Sequence, residues 1–295
     1  MQEQREGVIC EGRGGLYTVA DDGGAQFVLR ARNRFRFEGV TPLVGDRVRF
    51  TPGKDDQHGW LDELLPRTSE ITRPPVANVT QLVITLAPEP APDYLLADKL
   101  LVSAYMQGIA PLIAVNKTDL SPGMADAVGE AYAKSGAPVL AVSAKSGEGL
   151  PVLRDAMQGH LSCLAGQSGT GKSTLISRLT GRDLKTGEIS PKIQRGRQTT
   201  RHVTLLTDMG LRVLDTAGFS LLELPLGMEP EQLREYYPEF APYSGNCRFT
   251  VCLHGAEPGC AVEEAARAGE ISRDRVDRYR LLLQDVKETW GNRYG

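Results

Sequence analysis

The chain runs Gly166-Gln167-Ser168-Gly169-Thr170-Gly171-Lys172-Ser173 through its middle, and this stretch decides the fold because it fits the pattern G-x-x-x-x-G-K-[ST]. A strand-like run, HLSCLA, leads in, and a helix-like run, STLISRLTG, leads out. The glycines let backbone N–H groups wrap a phosphate, and the N-terminus of the following helix adds positive charge. The stretch predicts a phosphate-binding loop; the alternative is a Gly-rich turn without a ligand.

Individual residues of this loop have distinct expected roles. Lys172 is expected to reach the β- and γ-phosphates of a nucleotide, and the Ser173 hydroxyl to ligate Mg²⁺. Thr174 follows at the start of the helix and is included in the predicted nucleotide site.

A second motif, Asn116-Lys117-Thr118-Asp119, follows the strand-like run PLIAV and indicates which base is bound. The Asp119 carboxylate can accept hydrogen bonds from N1–H and the 2-amino group of guanine, and adenine offers neither in that arrangement. Lys117 can lie along the base, and Asn116 is expected to tie neighbouring loops together. Alone, this pattern is also typical of a surface turn.

Two further motifs complete a set that is typical of GTPases. Ser143-Ala144-Lys145 ends the next strand-like run, where a backbone N–H can meet the guanine O6. Asp215-Thr216-Ala217-Gly218 ends the run LRVLD, where Asp215 is expected to hold Mg²⁺ through a water and Gly218 to sense the γ-phosphate. Together with the phosphate loop, these motifs predict a GTPase.

The motifs occur in an unusual order, since the base-binding motifs at 116 and 143 precede the phosphate loop. The same site can form if the domain is circularly permuted, because the termini of a compact domain tend to lie close together. The γ-phosphate segments then lead directly into the C-terminal region, which suggests that hydrolysis could move that region.

The predicted switch segment runs from Gly196 to His202. Thr200 is expected to complete the Mg²⁺ shell when GTP is bound, with Thr199 as the alternative. Gln198 and His202 are candidates for orienting the attacking water, because Phe219 stands where Ras-like enzymes have a glutamine. We therefore expect slow unassisted turnover, on the order of 10⁻⁴–10⁻³ s⁻¹.

A cluster of soft ligands follows near the C-terminus. Cys247, Cys252, His254 and Cys260 have the spacing C-x₄-C-x-H-x₅-C, which predicts one structural Zn²⁺ site with no open position. The alternatives are free thiols or a disulfide. Cys10 and Cys163 lie in strand-like runs and are expected to be core residues.

Composition limits the class of protein. The 295 residues suffice for about two domains, and the hydrophobic fraction of 41% with a net charge of −3 is ordinary for a folded soluble protein. No apolar run approaches the roughly 18–20 residues of a membrane span, and we see no secretory signal. We expect a cytoplasmic protein that does not act at a membrane.

Three regions differ in pattern. Residues 1 to about 70 contain short β-like runs, which predict a small antiparallel barrel or sheet, and Arg73-Pro74-Pro75 suggests a hinge. Buried-strand candidates then mostly alternate with helical segments, which predicts a largely parallel sheet with helices on both faces. A charged helical pattern from Ala261 to Trp290 ends the chain.

Four arginines recur at every second position of the first region. They are Arg30, Arg32, Arg34 and Arg36. If this stretch is a strand, all four lie on one face, which is either exposed to solvent or in contact with a nucleic acid.

Across essentially its full length, the chain resembles the ribosome small-subunit-dependent GTPase A (RsgA) family. The permuted motif order combined with the cysteine–histidine loop carries this resemblance. It implies an OB-fold barrel over residues 1–70, a circularly permuted α/β P-loop GTPase domain over 71–225 and a mostly helical zinc-binding domain over 226–295.

The resemblance also implies a function. The family acts in the late maturation of the 30S subunit. The subunit stimulates GTP hydrolysis, and the GTPase leaves the subunit after hydrolysis. Binding of 16S rRNA by the basic strand would fit this role, since OB-folds combine basic grooves with aromatic platforms. We expect a monomer that binds GTP and GDP.

Two positions depart from the family pattern: Gln198 replaces a histidine that has been considered catalytic, and Ala217 replaces a proline. Two other classes remain open. One is an RNA-binding scaffold stabilised by GTP with negligible hydrolysis, and the other is a small-molecule kinase.

Overall fold

The computed structural model describes residues 4–54, 57–72, 74–183, 203–216, 224 and 227–291. The chain divides into two units, each assembled from separate stretches. The first consists of Met1–Gln81, Arg154–Leu164 and Ser173–Phe219, and the second of Leu82–Leu153, Ala165–Lys172 and Ser220–Gly295.

Five strands of the first unit form a closed ring: β1 (Arg5–Arg13), β2 (Leu16–Asp21), β3 (Gln26–Ala31), β4 (Arg47–Thr51) and β5 (Gly59–Leu64). Antiparallel pairs join β1 to β2, β2 to β3, β4 to β5 and β1 to β4. The ring closes because β3 and β5 pair in parallel. Its interior is filled by alternating apolar side chains such as those of Ile9, Val19, Leu29, Phe50 and Leu61, all fully buried. The predicted OB-like barrel is confirmed.

The expectation that four arginines share one strand face is wrong. Strand β3 ends at Ala31, and a short helix, α1 (Asn33–Phe37), follows. A strand would place Phe35 and Phe37 on the same face, whereas the helical turn buries Phe35 at 4% exposure and leaves Phe37 88% exposed. Burial of one aromatic ring therefore favours the helix over the continued strand.

The suggested hinge is a hairpin. Strands β6 (Glu70–Thr72) and β7 (Pro75–Ala77) pair antiparallel, with Thr72 opposite Pro75. Pro75 stands at the first position of its strand, where a missing N–H is tolerated. Arg73 lies outside the described residues.

Three strands of the second unit are neighbours in the sheet, in the spatial order β10 (Val139–Ala141), β9 (Ala110–Val115) and β8 (Gln81–Leu86). Every residue of β8 is buried, as expected for a strand covered on both faces. Helix α2 (Tyr94–Met106) follows β8 and is capped by Asp93, whose carboxylate accepts from the Leu96 N–H at 2.9 Å. Helix α3 (Met124–Tyr132) follows β9.

The middle of the chain continues with α4 (Leu150–Met157), β11 (Leu161–Ala165) and α5 (Lys172–Thr180). Strands β12 (Val203–Asp208) and β13 (Leu211–Thr216) then form an antiparallel hairpin, and β13 lies parallel to β11. The last pair thus departs from the expected strand–helix alternation. Cys10 and Cys163 are buried, as predicted, and burial raises the pKa of Cys163 to about 12.

The C-terminal helical pattern is confirmed with one interruption. Helix α6 (Pro230–Leu233) is followed by α7 (Ala261–Arg267) and α8 (Arg273–Gly291), and Gly269 adopts a φ of 73° between the last two. Tyr279 of α8 packs edge-on against Tyr237 and Phe240, with both centroid distances 4.9 Å. Among the helices described, none is long and apolar enough to cross a membrane.

A buried charge network joins α8 to α2 and α3 within the second unit. Asp98 of α2 is fully buried and accepts from Arg275 at 2.5 Å, from Arg278 at 2.6 Å and from the Tyr132 hydroxyl at 2.8 Å. Arg275 also pairs with the buried Glu239. Burial alone would lower the pKa of Arg275, but the two carboxylates outweigh it and raise that pKa. Arg275 is therefore charged, and its contacts fix α8 on α2.

Replacing Asp98 by asparagine is expected to destabilise the protein strongly, because the buried guanidinium of Arg275 and the partly buried one of Arg278 would lose their shared counter-charge. We expect a loss of about 3–5 kcal/mol in the free energy of unfolding, measured by urea denaturation. Asp285→Asn is the matched control, since Asp285 pairs with Lys99 at the surface and such pairs contribute about 0–1 kcal/mol. Equal effects of the two substitutions would contradict the assigned role of the network.

Candidate nucleotide site and metal cluster

Asn116 joins three loops of the second unit. It follows β9 and is 1% exposed. Its Nδ2 donates to the Thr170 carbonyl at 2.8 Å, and its Oδ1 accepts from the Ala144 N–H at 3.0 Å. One amide group therefore connects the segments at 116, 143 and 166, which are far apart in the sequence.

Lys117 adds a second connection at the surface of the same site. Its backbone φ is 63°, in the left-handed region, and its Nζ donates to the Gly169 carbonyl at 2.8 Å and the Glu89 carbonyl at 2.6 Å. The chain between β8 and α2 thus contacts the phosphate-loop candidate through this ammonium group. Pro90 lies on the same side, 3.3 Å from where a Cβ on Gly169 would stand.

Asp119 is held by the loop after β10. The Ser143 hydroxyl, which is fully buried, donates to Asp119 Oδ1 at 2.7 Å, and Lys145 Nζ lies 4.0 Å from Oδ2. Thr118 donates to the Val142 carbonyl at 3.0 Å. The carboxylate of Asp119 is oriented by neighbours from a different loop.

Two glycines of the segment 166–172 stand where no other residue fits. Gly166 has a φ of 132°, and a Cβ there would lie 2.4 Å from the Thr85 carbonyl oxygen. Gly171 has a φ of 93°, and its Cβ would lie 2.4 Å from Asn116 Nδ2. The first lets the loop pass β8 closely, and the second leaves room for the Asn116 amide.

Lys172 lies over the loop that it ends. Its Nζ donates to the carbonyls of Gly166 and Gln167, both at 2.7 Å. Burial away from water lowers the pKa of Lys172 to about 8. Anionic phosphates near this ammonium would favour its charged form.

The structure places the other predicted nucleotide ligands as follows. Ser173 and Thr174 are exposed in the first turn of α5, and Asp215 is half-buried near the end of β13. Both Ser173 and Asp215 offer hard oxygen donors, which suit Mg²⁺. The predictions for Gln198, Thr199, Thr200, His202, Gly218 and Phe219 concern positions outside the described residues.

The predicted metal ligands are brought together in the second unit. One ligand atom from each of Cys247, Cys252, His254 and Cys260 lies within 4.8 Å of every other. His254 Nδ1 is 3.4 Å from the Cys260 sulfur and 3.7 Å from the Cys247 sulfur. Around a tetrahedral Zn²⁺ with bonds of about 2.0–2.3 Å, such ligand atoms lie about 3.5 Å apart. The cluster could therefore hold a metal ion.

The protonation of His254 suits this use. Burial lowers its pKa, and the nearby Arg234 lowers it further, so the ring is neutral at neutral pH as a metal ligand must be. The ring packs edge-on against Phe240, with centroids 5.6 Å apart. Its Nε2 is buried and has no hydrogen-bond partner in the described part of the chain.

Comparison with known proteins identifies the family. A family model described as RsgA GTPase matches residues 64–225, and one described as RsgA N-terminal domain matches residues 6–61. The chain belongs to the RsgA GTPase family. The small ribosomal subunit biogenesis GTPase RsgA of Ruminiclostridium cellulolyticum is 44% identical over 287 residues, which cover 96% of this chain and 94% of that protein.

Further RsgA proteins are similar over their full length. The small ribosomal subunit biogenesis GTPase RsgA of Caldanaerobacter subterraneus subsp. tengcongensis is 41% identical, with 99% of each chain covered. The crystal structure of YjeQ from Thermotoga maritima matches with a TM-score of 0.80 at 31% identity, covering 96% of this chain and 99% of that one. YloQ, described as a circularly permuted GTPase, matches with a TM-score of 0.79 at 33% identity over 97% and 96% of the two chains. The permuted fold inferred from the motif order is thereby confirmed.

Several residues that shape the two candidate sites were not predicted from the sequence. Glu89 offers only its backbone carbonyl to Lys117, and a carbonyl leaves no trace in a sequence pattern. Glu257 accepts from the N–H groups of Leu253 and Gly255 in the metal loop. Its position three residues after His254 was the one available signal.

Removal of the Asn116 side chain is expected to destabilise the protein, because it takes away the partners of the Thr170 carbonyl and the Ala144 N–H. We expect a cost of roughly 1–3 kcal/mol for each group in Asn116→Ala, measured by chemical denaturation. Ser146→Ala is the control, since its hydroxyl accepts one exposed hydrogen bond from Glu148. If Asn116→Ala cost no more than this control, the loops would not depend on Asn116.

Proposed function

We propose that this protein is a cytoplasmic, monomeric GTPase that acts in late maturation of the small ribosomal subunit. In this proposal the 30S subunit stimulates GTP hydrolysis, and hydrolysis releases the protein. The observation that carries the proposal is the pair of hydrogen bonds that Asn116 makes with Thr170 and Ala144, because they join the segments 116–119, 143–145 and 166–173. The full-length similarity to small ribosomal subunit biogenesis GTPases supports the choice of partner. The proposal divides the chain into a barrel domain over residues 1–70, a GTPase domain over 71–225 and a zinc-binding domain over 226–295.

Guanine recognition is assigned to the residues around Asp119. The carboxylate, held by the Ser143 hydroxyl, would accept from N1–H and the 2-amino group of the base. Lys117 would cover one face of the base from its position between Gly169 and Glu89. The loop 143–145 would contact the base edge. An adenine would leave the Asp119 carboxylate without donors, and this selects guanine.

Phosphate binding is assigned to residues 166–174. Backbone N–H groups of the loop and the Lys172 ammonium would hold the β- and γ-phosphates. Ser173 and Thr200 would ligate Mg²⁺, Asp215 would hold it through a water, and Gly218 would contact the γ-phosphate. When bound with GTP, Mg²⁺ neutralises charge that develops on the transferred phosphoryl group. Gln198 and His202 are the proposed water-orienting residues.

The proposed function predicts partner-dependent hydrolysis. Without its partner, the protein is expected to release phosphate slowly, because Phe219 cannot orient a water by hydrogen bonding. Purified 30S subunits are expected to raise the rate by orders of magnitude with GTP and not with ATP. Steady-state phosphate release, measured for both nucleotides with and without 30S subunits, tests this.

The variant Asp119→Asn tests, in the same hydrolysis assay, whether Asp119 recognises the base. Its side-chain amide can pair with xanthine, which has an acceptor in place of the 2-amino donor, so stimulated hydrolysis should move from GTP to XTP. Tight GTP-dependent binding to 30S subunits without stimulation would instead favour a scaffold. Unassisted turnover above ~1 s⁻¹ would contradict the dependence on a partner.

We also propose that the barrel surface around α1 binds 16S rRNA. Arg30 lies in β3 directly opposite Trp60 of β5, and Arg32 lies over the Trp60 ring at 5.4 Å. Trp60 and Phe37 are exposed, at 44% and 88%. Guanidinium groups and exposed aromatic rings together are typical of surfaces that bind unpaired bases and phosphates.

The four arginines differ in their contacts. Arg32 pairs with the Asp62 carboxylate at 2.6 Å, and Arg34 donates to the Asp62 carbonyl. Arg30 and Arg36 are exposed and have no carboxylate partner in the described part of the chain. Arg30 and Arg36 are therefore the better candidates for phosphate contacts.

Charge reversal at Arg30 and Arg36 is expected to weaken binding to the 30S subunit and to reduce its salt dependence. The log–log slope should fall by roughly 0.7–0.9 for each phosphate that the variant no longer binds. The control is Lys134→Glu with Lys287→Glu, which makes the same change in net charge at exposed positions of the other unit. Binding measured over a range of salt concentrations distinguishes the two. An unchanged slope in the arginine variant would remove this surface from the proposal.

The metal is proposed to be one structural Zn²⁺. Three thiolates and one neutral imidazole form a closed tetrahedral set, which leaves no position for a reacting water. Cys252, His254 and Cys260 are buried, so the donors fit an ion shielded from solvent. The ion would link the loop 247–260 into the core around Tyr279.

A further inference from the structure

The turn that carries His254 has a backbone conformation that few residues adopt. His254 has a φ of 57° and Ala256 a φ of 129°. They are two of the five non-glycine residues with positive φ among those described. Residues other than glycine disfavour positive φ, so they keep this conformation only where surrounding contacts hold it.

The Glu257 carboxylate holds this turn from the inside. Its Oε2 accepts from the Gly255 N–H at 2.7 Å and the Ala256 N–H at 3.2 Å, and its Oε1 accepts from the Leu253 N–H at 3.1 Å. These donors flank His254 on both sides. One side chain therefore fixes the peptide groups that determine where the imidazole points.

Two carbonyl groups of the same loop are held from the outside. Arg234 donates to the Cys252 carbonyl at 2.6 Å, and the Tyr279 hydroxyl donates to the Leu253 carbonyl at 2.5 Å. Glu257 takes the N–H groups, which neither of these donors can bind. Among the described contacts it is the side chain that reaches both ends of the turn.

We infer that Glu257 is a positioning residue for the metal site, because its carboxylate holds backbone 253–256 so that His254 Nδ1 faces the three thiols. Glu257 lies outside the four-ligand set, and the inference rests on the metal site proposed above. Its Oε2 is 3.6 Å from the Cys252 sulfur. A negative charge there disfavours the thiolate that binds metal, so the contribution of Glu257 lies in its hydrogen bonds.

The test compares metal affinities of the full-length protein. Wild type and Glu257→Gln are loaded with Co²⁺, whose thiolate and d–d absorption reports the ligand set, and are titrated with Zn²⁺ against a chelator. The glutamine amide keeps one acceptor oxygen, but its NH₂ group would face backbone N–H groups in place of the second carboxylate oxygen. Glu257→Gln is therefore expected to bind both metals 10–100-fold more weakly, as is typical when a group that orients a ligand is lost.

Glu264→Gln is the matched control. It removes the same charge at an exposed position of α7, four residues after the ligand Cys260. Its metal affinity is expected to stay within twofold of wild type. A Glu257→Gln affinity within the same twofold range would overturn the inference. Wild-type protein that takes up no Co²⁺ would overturn the metal site itself and this inference with it.

A double variant separates backbone positioning from charge. Ala256→Gly removes the penalty for positive φ, so adding it to Glu257→Gln is expected to recover at least fivefold of the lost affinity. No recovery would overturn the positioning role. Guanine-nucleotide binding reports folding, and if Glu257→Gln is unfolded, the double variant decides the question by regaining or failing to regain both folding and metal affinity.

Discussion

The candidate nucleotide site depends on the side-chain amide of Asn116. A buried amide has one acceptor and two donor hydrogens, and here the acceptor serves the loop at 144 while a donor serves the loop at 170. Burial makes both bonds expensive to break, since water is not available to replace either partner. Gly171 accommodates this arrangement, because any side chain at that position would collide with the amide. Two other contacts join the same loops: Lys117 donates to the Gly169 carbonyl, and the Ser143 hydroxyl donates to Asp119.

A second constraint ties the C-terminal region to the part of the second unit that is proposed to bind the base. Connectivity alone suggested that GTP hydrolysis could move the C-terminal region, because this region comes directly after the predicted γ-phosphate segments in the chain. The contacts add that Arg275 and Arg278 of α8 share the buried Asp98 of α2. Helix α2 in turn begins just after the stretch whose Glu89 carbonyl binds Lys117. Helix α8 is therefore held by α2, which follows the stretch beside the candidate base site, and the sequence neighbours of α8 do not alone determine its position.

The two sites share one structural principle, since in each a short-range motif supplies the chemistry and long-range hydrogen bonds supply the orientation. Asp119 is oriented by Ser143 from another loop. In the metal loop, Arg234 and Tyr279 reach in from outside while Glu257 holds the turn from within. Strained backbone at Lys117, His254 and Ala256 is found where these contacts concentrate.

The sequence by itself determined which chemistry this protein carries. The spacing within GQSGTGKS, NKTD, SAK and the cysteine–histidine loop is local, and the order of the GTPase motifs along the chain was sufficient to infer permutation. The barrel–GTPase–metal arrangement came from the resemblance to the family that these motifs carry. Tertiary structure decided what local patterns leave open. The alternating arginines predicted a strand, but residues 33–37 form a helix, which buries Phe35. The predicted Pro-Pro hinge is instead part of a hairpin, because its second strand pairs with residues 70–72. Glu89 and Asp98 could not be found from the sequence, because a backbone carbonyl and a buried counter-ion acquire their roles from partners that only folding brings within hydrogen-bond distance. Glu257 had only its position near His254 as a signal, and the fold decided that its carboxylate turns back onto the backbone of its own loop.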